Sequence, residues 1–457
     1  MPIGHTMAPP VIMVGFTWAS VASIGVFQPD ESVILIEEPG VVGVRGLRSE
    51  VRRATVIREL VAWDYHLEGA ADAFYNAHPD LAPAAIAPVL EDATLFAARL
   101  AERYGLPGAG LGAARLLRDK SLLRRTTRAA GIPNPESQEA ENPRQVREFM
   151  TDHPGPAVLK PALGQGSVGA RVLQSADEAD GVWAECVAEY AALYGHRRVP
   201  GRTAPVRMLV ERYLRGPEYS VELLVSDSQV LFGNVTGKDL YPGPRPVERG
   251  HLVPADIPAD LETLLREQTE RVVRAVGFGT GAVHCEWIVE AGTPHLVECA
   301  GRLPGDAIVE LIEWAYDVEF LRAFWALLAG EPPTRPLRRR AGQAAAIRFL
   351  YTGPGVIENV GGLAAAYAVP SVITCKVLVE PGAPVRELRS SLDRVAFAIS
   401  CAATPGEAVR RAEEAIGRLE ITTRPETAPP GPPDDQRPRD KGFSGATSRT
   451  STMSGTE

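Results

Sequence analysis

The stretch Val283-His284-Cys285-Glu286-Trp287-Ile288-Val289-Glu290-Ala291-Gly292-Thr293-Pro294-His295-Leu296-Val297-Glu298-Cys299-Ala300-Gly301-Arg302 decides the fold. Its residues alternate with period two on either side of a glycine-containing break, which predicts strands over 283–289 and 295–299 joined as a hairpin. A three-residue turn at 291–293, with Gly292 supplying positive φ, sets Glu286 directly opposite Glu298 and His284 opposite Ala300. Cys285, Trp287, Val289 and Val297 then fall on the other face, toward a core. Two carboxylates directly across a ladder sit about 5 Å apart at Cβ and repel. A cation between them is one resolution, and Mg²⁺ suits, because it takes oxygen ligands, typically one or two carboxylates with substrate phosphates. The other is that both carboxylates point into solvent on an edge hairpin. A one-residue slip would send them to opposite faces.

Upstream, Gly164-Gln165-Gly166-Ser167-Val168-Gly169 matches GxGxxG letter for letter. A dinucleotide-binding loop needs a helix after it. Here a strand-like segment, 171–173, follows a strand at 157–160, and no GxxxxGK[ST] is present. A strand–glycine loop–strand hairpin can fold its N–H groups over phosphates as a lid. Protein kinases build such a lid, but their lysine comes after the loop, whereas Lys160 precedes this one and no HRD or DFG element appears. The alternative is a flexible surface hairpin with an exposed lysine.

Working outward, residues 1–115 alternate short apolar strands (11–14, 32–37) with helices (92–104), which implies a parallel sheet covered by helices. Further helices are expected at 119–131, with Lys120, Arg124, Arg125 and Arg128 on a basic face, at 142–152, at 261–276, and over 308–328 as one helix. Strands at 207–213 and 219–225 are joined by a turn at Gly216–Pro217. A basic, proline-containing linker spans 334–340, and 341–424 again alternates strands and helices. From 425 to 457 the composition turns to Pro, Gly, Ser, Thr and charged residues, which predicts a disordered tail.

The chain has 457 residues, 45% hydrophobic, with a net charge of −9 and a pI of about 5.6. That length predicts several domains. The acidic balance argues against a nucleic-acid-coating surface. The apolar runs are too short for a membrane helix, and no signal peptide is apparent. The five cysteines (Cys186, Cys285, Cys299, Cys375, Cys401) form no CxxC pair, which fits free thiols in the cytoplasm.

These segments, in this order, resemble the ATP-grasp superfamily, and most closely its L-amino-acid (dipeptide) ligase branch. The resemblance runs from about residue 85 to 424. It rests on Arg118-Asp119-Lys120 with Ala130-Gly131-Ile132-Pro133, Val158-Leu159-Lys160-Pro161 with Gly164–Gly169, the segment 209–222, and Glu286, Glu298 and Arg302. Residues 344–350 and 389–394 resemble the small domain that closes such ligases.

The resemblance implies a mixed α/β and α+β architecture. An N-terminal α/β domain (1–115) precedes an ATP-grasp domain (116–333) with a phosphate lid at 160–173, then a C-terminal α+β domain (341–424). By position it implies that Lys120, Lys160, Gly164, Gly166 and Ser167 contact ATP phosphates. Glu211 and Leu214 would meet the adenine, largely through backbone groups, and Glu218 the ribose. Glu286 and Glu298 would hold Mg²⁺ or Mn²⁺, two ions in all, and Arg302 an acyl phosphate. His251, His284, Gly305 and Asp306 are candidate substrate-site groups. The family motif usually reads Glu-x-Asn-x-Arg; here Ala300 stands at the middle position, as a small residue does in the dipeptide-ligase branch. The implied activity joins a carboxylate to an amine, amino acids being the expected substrates, with ADP and phosphate released. Another ATP-grasp reaction (a carboxylation or a purine-type amide ligation) and an inactive nucleotide-binding regulator are the alternatives. No nucleic-acid or membrane partner is expected, and a homodimer is compatible with the reading.

Overall fold

The computed structural model describes residues 8–194, 206–243 and 245–425. The tail expected to be disordered lies, apart from Pro425, outside the described residues.

The chain opens on a four-stranded parallel sheet in the order Ile57–Ala62, Val33–Glu37, Val11–Val14, Ala85–Pro88. Its two central strands are buried throughout, as parallel strands covered on both faces must be. The period-two alternation divides them between two cores. Ile12, Val14, Ile34 and Ile36 pack with residues of the helices Ala70–Ala77 and Thr94–Tyr104. Val11, Met13, Val33 and Leu35 share a core with the helices Ile308–Tyr316 and Phe320–Leu328. The single helix expected over 308–328 is therefore two, because Asp317 adopts φ 51° and stops the first.

A four-stranded antiparallel sheet follows, in the order Ser137–Ala140, Met208–Arg212, Ala157–Pro161, Arg171–Leu173. The helix Pro143–Asp152 backs it: Val146, Phe149 and Met150 join Leu159, Leu173 and Val210 in one cluster. Strand Met208–Arg212 does not form a hairpin with its successor. The turn at Gly216 carries the chain into a different sheet, passing so close to the hairpin 281–300 that a Cβ on Gly216 would lie 2.0 Å from the Val289 carbonyl oxygen.

That second sheet has eight antiparallel strands, ordered Thr293–Ala300, Gly281–Glu290, Glu218–Ser226, Gln229–Leu240, Glu248–Val253, Ala344–Leu350, Ala396–Ala402, Val372–Val377. It crosses the linker at 334–340 without interruption. On one face Val221, Leu223, Val235, Val283, Cys285 and Trp287 pack against the amphipathic helix Ala259–Val276. On the other face the same strands present Glu218, Ser220, Glu222, Asn234, Thr236, Lys238, His251, His284 and Glu286. Parity along each strand thus separates the core under that helix from a second face, which is polar around Lys238 and His284 and apolar at Leu224, Phe232 and Ala282. A three-stranded sheet, Pro384–Val385, Gly355–Gly361 and Glu420–Arg424, completes the C-terminal part. The five cysteines are buried free thiols. Among the described residues no helix is long and apolar enough to cross a membrane.

Candidate active site

The hairpin 281–300 keeps the expected pairing by a different route. Its turn is the two-residue Ala291–Gly292, with φ 50° and 82°, as tight hairpins of this twist require. That closure pairs Glu290 with Thr293 and Trp287 with Leu296. A bulge then leaves Val297 unopposed, and Glu286 meets Glu298, Cys285 meets Cys299, and His284 meets Ala300. Leu296, not Val297, fills the core. Val297 lines the cavity instead, and its carbonyl accepts from Arg124 at 2.7 Å.

A cavity of 1190 Å³ lies between the polar face of the eight-stranded sheet, the four-stranded sheet and the N-terminal layer. Lys120, Lys160, Gly164, Gly166, Ser167, Glu211, Leu214 and Glu218 all line it. So do His251, His284, Glu286, Glu298, Arg302, Gly305 and Asp306. The structure thus brings together residues separated by nearly two hundred positions.

Helix Lys120–Ala129 starts where Asp119 accepts from the N–H groups of Ser121 and Leu122. Its expected basic face is split. Lys120 and Arg124, one turn apart, point inward and are buried, while Arg125 and Arg128 are exposed. Lys120 Nζ lies 3.0 Å from Glu298 and 3.0 Å from the Gly164 carbonyl. Arg124 Nε lies 2.7 Å from Glu211, whose other oxygen meets Lys160 Nζ at 2.7 Å. Burial opposes ionisation of Glu211, but the two cations outweigh it and hold its pKa at about 2. Burial lowers the pKa of Lys160, with the charges of Arg124 and Lys120 acting in the same sense against Glu211. The Glu211 side chain is therefore committed to an internal ion triad.

The glycine loop is anchored at three points. Lys120 bonds the Gly164 carbonyl, the Gln165 side chain accepts from the Glu91 N–H at 3.2 Å, and Ser167 Oγ donates to the Pro246 carbonyl at 3.0 Å. Gly169 has φ 73°, and a Cβ there would meet the Cys186 carbonyl at 3.1 Å, so the loop's exit requires glycine.

Glu286 and Glu298 are each matched with a lysine. Lys238 Nζ stands 2.8 Å from Glu286, 2.6 Å from Glu218 and 3.4 Å from Glu248. Burial disfavours its charge, but the three carboxylates raise its pKa well above the usual lysine value. Burial likewise opposes the charge on Glu286, yet Lys238 and His284 hold its pKa well below the carboxylate range. For Glu218 the balance falls the other way: burial, helped by neighbouring Glu286 and Glu248, outweighs Lys238 and raises its pKa. His284 Nδ1 is 3.0 Å from Glu222 and Nε2 3.2 Å from Glu286. Burial would strip its proton, but these two partners raise its pKa to about 9. Behind it, Glu222 takes bonds from Ser220, Asn234 and Thr236, and Tyr316 closes the network on Asn234. The network is fully buried and satisfied, which fixes the ring.

Arg302 is half-buried, its Nε 2.8 Å from Glu91 and its Nη1 2.8 Å from the Leu303 carbonyl. His251 Nε2 lies 3.0 Å from Asp306. Sequence reasoning missed Lys238, Glu91 and Arg394. Lys238 is a single lysine in an otherwise ordinary strand, and its register opposite Glu218 is the one signal that would have exposed it. Glu91 comes from the N-terminal part, and no local pattern links it to Arg302.

Among the described residues no cluster of three or more His, Cys, Asp or Glu side chains is arranged to hold a metal by itself. The pair Glu286 and Glu298 still fits a hard cation. Both are cavity-lining carboxylates in register, and such ions take their remaining oxygens from phosphates and water.

Residues 153–310 match the ATP-grasp domain family, and residues 348–424 match L-amino acid ligase C-terminal domain 2. A D-alanine–D-alanine ligase from Gloeobacter violaceus is 32% identical over 218 residues, covering 45% of this chain and 66% of that protein. Carnosine synthase 1 from Gallus gallus is 26% identical over 271 residues, covering 56% of this chain and 28% of that protein. The chain thus spans less than two thirds of the length of either relative. The crystal structure of an L-amino acid ligase from Bacillus licheniformis superposes with a TM-score of 0.74 at 17% identity, covering 91% of this chain and 98% of that one. At that identity the likeness establishes the fold.

Proposed function

We infer that this chain, an ATP-grasp protein with an L-amino acid ligase C-terminal domain, is an ATP-dependent carboxylate–amine ligase acting on amino acids. The observation that carries the reading is the convergence of Lys120, Lys160, the glycine loop, Glu286, Glu298 and Arg302 on one cavity.

A carboxylate is a poor electrophile, because its negative charge is delocalised over the group, and its oxygen is a poor leaving group. The reaction begins when a substrate carboxylate oxygen attacks the γ-phosphorus of ATP, forming an acyl phosphate and releasing ADP. The amine then attacks the acyl carbon, phosphate leaves with its bonding electrons, and the nitrogen loses a proton. The protein's part is positioning and charge neutralisation. Lys120, Lys160 and the N–H groups of the glycine loop hold the phosphates. Leu214 and the backbone at Glu211 border the base, and Glu218 the ribose. Glu286 and Glu298 would hold Mg²⁺ or Mn²⁺, which supplies charge neutralisation at the phosphoryl oxygens. Arg302 grips the acyl phosphate and stabilises the oxyanion formed on amine attack. The loop excludes water, since an acyl phosphate hydrolyses. His251, Gly305 and Asp306 border the substrate end.

The test is phosphate release screened over amino-acid pairs. Ligation requires ADP and phosphate to appear when a carboxylate and an amine are both present, in step with the amide. Release with bicarbonate as the sole acid would instead indicate carboxylation. Nucleotide binding with no turnover across the screen would remove the enzymatic reading.

A further inference from the structure

The loop that leads from Arg302 into helix Ile308–Tyr316 is held from the far end of the chain. Arg394, just after the short 3-10 turn Ser391–Asp393, sets Nη1 2.9 Å and Nη2 2.6 Å from the two carboxylate oxygens of Asp306. The arginine is 7% exposed. Its guanidinium stacks 3.6 Å from the Phe349 ring centroid, and its Nε donates to the Ser391 carbonyl at 2.8 Å. His251 meets the same Asp306 from the eight-stranded sheet. Asp306 and the following Ala307 both lie in the left-handed region, at φ 55° and 59°. Residues with a Cβ adopt that conformation only when their surroundings over-determine it. A two-pronged, charge-assisted contact at the first of the two supplies that determination. Four residues upstream, Arg302 has among the described residues a single carboxylate partner, Glu91, so its placement depends on its own backbone.

We propose that Arg394 is a positioning residue: its fork on Asp306 fixes the 302–307 loop, and with it the orientation of Arg302 in the acyl-transfer step. The proposal rests on the role given to Arg302 above. It makes the C-terminal part of the chain a component of the active site and not a mere cover.

The full chain is tested as Arg394→Ala, Arg394→Lys and Asp306→Asn. Steady-state kinetics, amide hydrogen exchange over residues 303–308 and the thermal midpoint are measured for each. Arg394→Ala is expected to lower kcat about tenfold or more, with KM for ATP held within about twofold. Exchange in 303–308 should quicken about tenfold. Arg394→Lys should recover little, because a single ammonium cannot reproduce the fork, and Asp306→Asn should follow the alanine variant. Unchanged kcat in an active preparation overturns the proposal. So does a parallel collapse of kcat, ATP affinity and midpoint, which would mark a purely structural contact. If the alanine variant does not fold, the lysine and asparagine variants decide by the same criteria. If the wild type turns over no substrate pair, the ligase reading fails, and exchange still tests the clamp: unchanged rates in 303–308 overturn it.

Discussion

Replacing Glu211 with glutamine removes one charge from the buried triad with Arg124 and Lys160 while keeping the side chain's shape. Two routes give the magnitude. The Glu211 carboxyl is held at about 2 against a reference of 4.5, and that difference of about 2.5 pH units corresponds to roughly 3 kcal/mol of folding free energy. Removing one partner of a buried ion pair typically costs ~3–5 kcal/mol, because the remaining charge is left uncompensated. Lys160 can release its proton, since burial already lowers its pKa, and that relief favours the lower end. Glu211→Gln is therefore expected to lose about 3 kcal/mol at neutral pH, read as a lower urea midpoint by circular dichroism. The pH dependence has a definite sign. A carboxyl with a depressed folded pKa contributes its full stability above its unfolded value, near 4.5, and loses it as pH falls toward about 2. The gap between wild type and variant should therefore narrow across that window. A gap below about 1 kcal/mol at neutral pH, or one that stays constant down to pH 3, refutes the argument that the triad is held by Glu211's charge.

Glu286→Gln and Glu298→Gln should abolish turnover with the fold intact by circular dichroism; near-normal rates at saturating Mg²⁺ would remove their proposed role. Arg302→Lys keeps the charge but loses the two-pronged donor, so kcat should fall severely, and a fully active variant would make the arginine structural. Lys238→Met leaves Glu218, Glu248 and Glu286 without their shared cation. In metal-free buffer it should lose ~3 kcal/mol at pH 7, with the loss shrinking as the buffer is acidified and those carboxyls protonate. An equal loss at pH 5 and pH 7 would contradict this. Ala300→Asn, at the position opposite His284, should shift the Mg²⁺ dependence at fixed MgATP to lower concentration, and a wild type saturated at stoichiometric Mg²⁺ would leave no gap for it to fill.

The hairpin pairing was legible because parity is a local property: once both strands are recognised, Glu286 and Glu298 can face each other only if every intervening residue is counted. The count came out right through two offsetting departures, a shorter turn and a bulge at Val297, neither of which alternation alone reveals. The break at Asp317 was hidden for a related reason, since Ile308–Tyr316 and Phe320–Leu328 are both apolar enough to read as one helix. The strands Met208–Arg212 and Glu218–Ser226 look like a hairpin because they are short and close in sequence, yet a turn cannot announce which sheet each strand joins. The ion partners were least accessible of all. Glu91 and Arg394 acquire meaning from contacts spanning 211 and 88 positions, and no spacing rule operates at that range, whereas Lys238 needed the register of two neighbouring strands to bring it to Glu218.

The eight-stranded sheet also constrains how the molecule can breathe. Its hydrogen-bonded ladder runs unbroken from the strand carrying Glu298 to strands beyond residue 372. Swinging the C-terminal part away from Glu286 and Glu298 would mean tearing that ladder. The layer built on Ser137–Ala140, Ala157–Pro161, Arg171–Leu173 and Met208–Arg212 belongs to a separate sheet. The chain enters it through 133–136 and leaves through 213–217. Across those two crossings the layer is tied to the rest by Lys120 on the Ala162 and Gly164 carbonyls, by Ser167 on the Pro246 carbonyl, and by the ion pairs Arg124–Glu211, Arg207–Asp119 and Arg245–Glu189. Any opening of the cavity must therefore part that layer from the eight-stranded sheet across these polar contacts and leave the ladder to the C-terminal part intact.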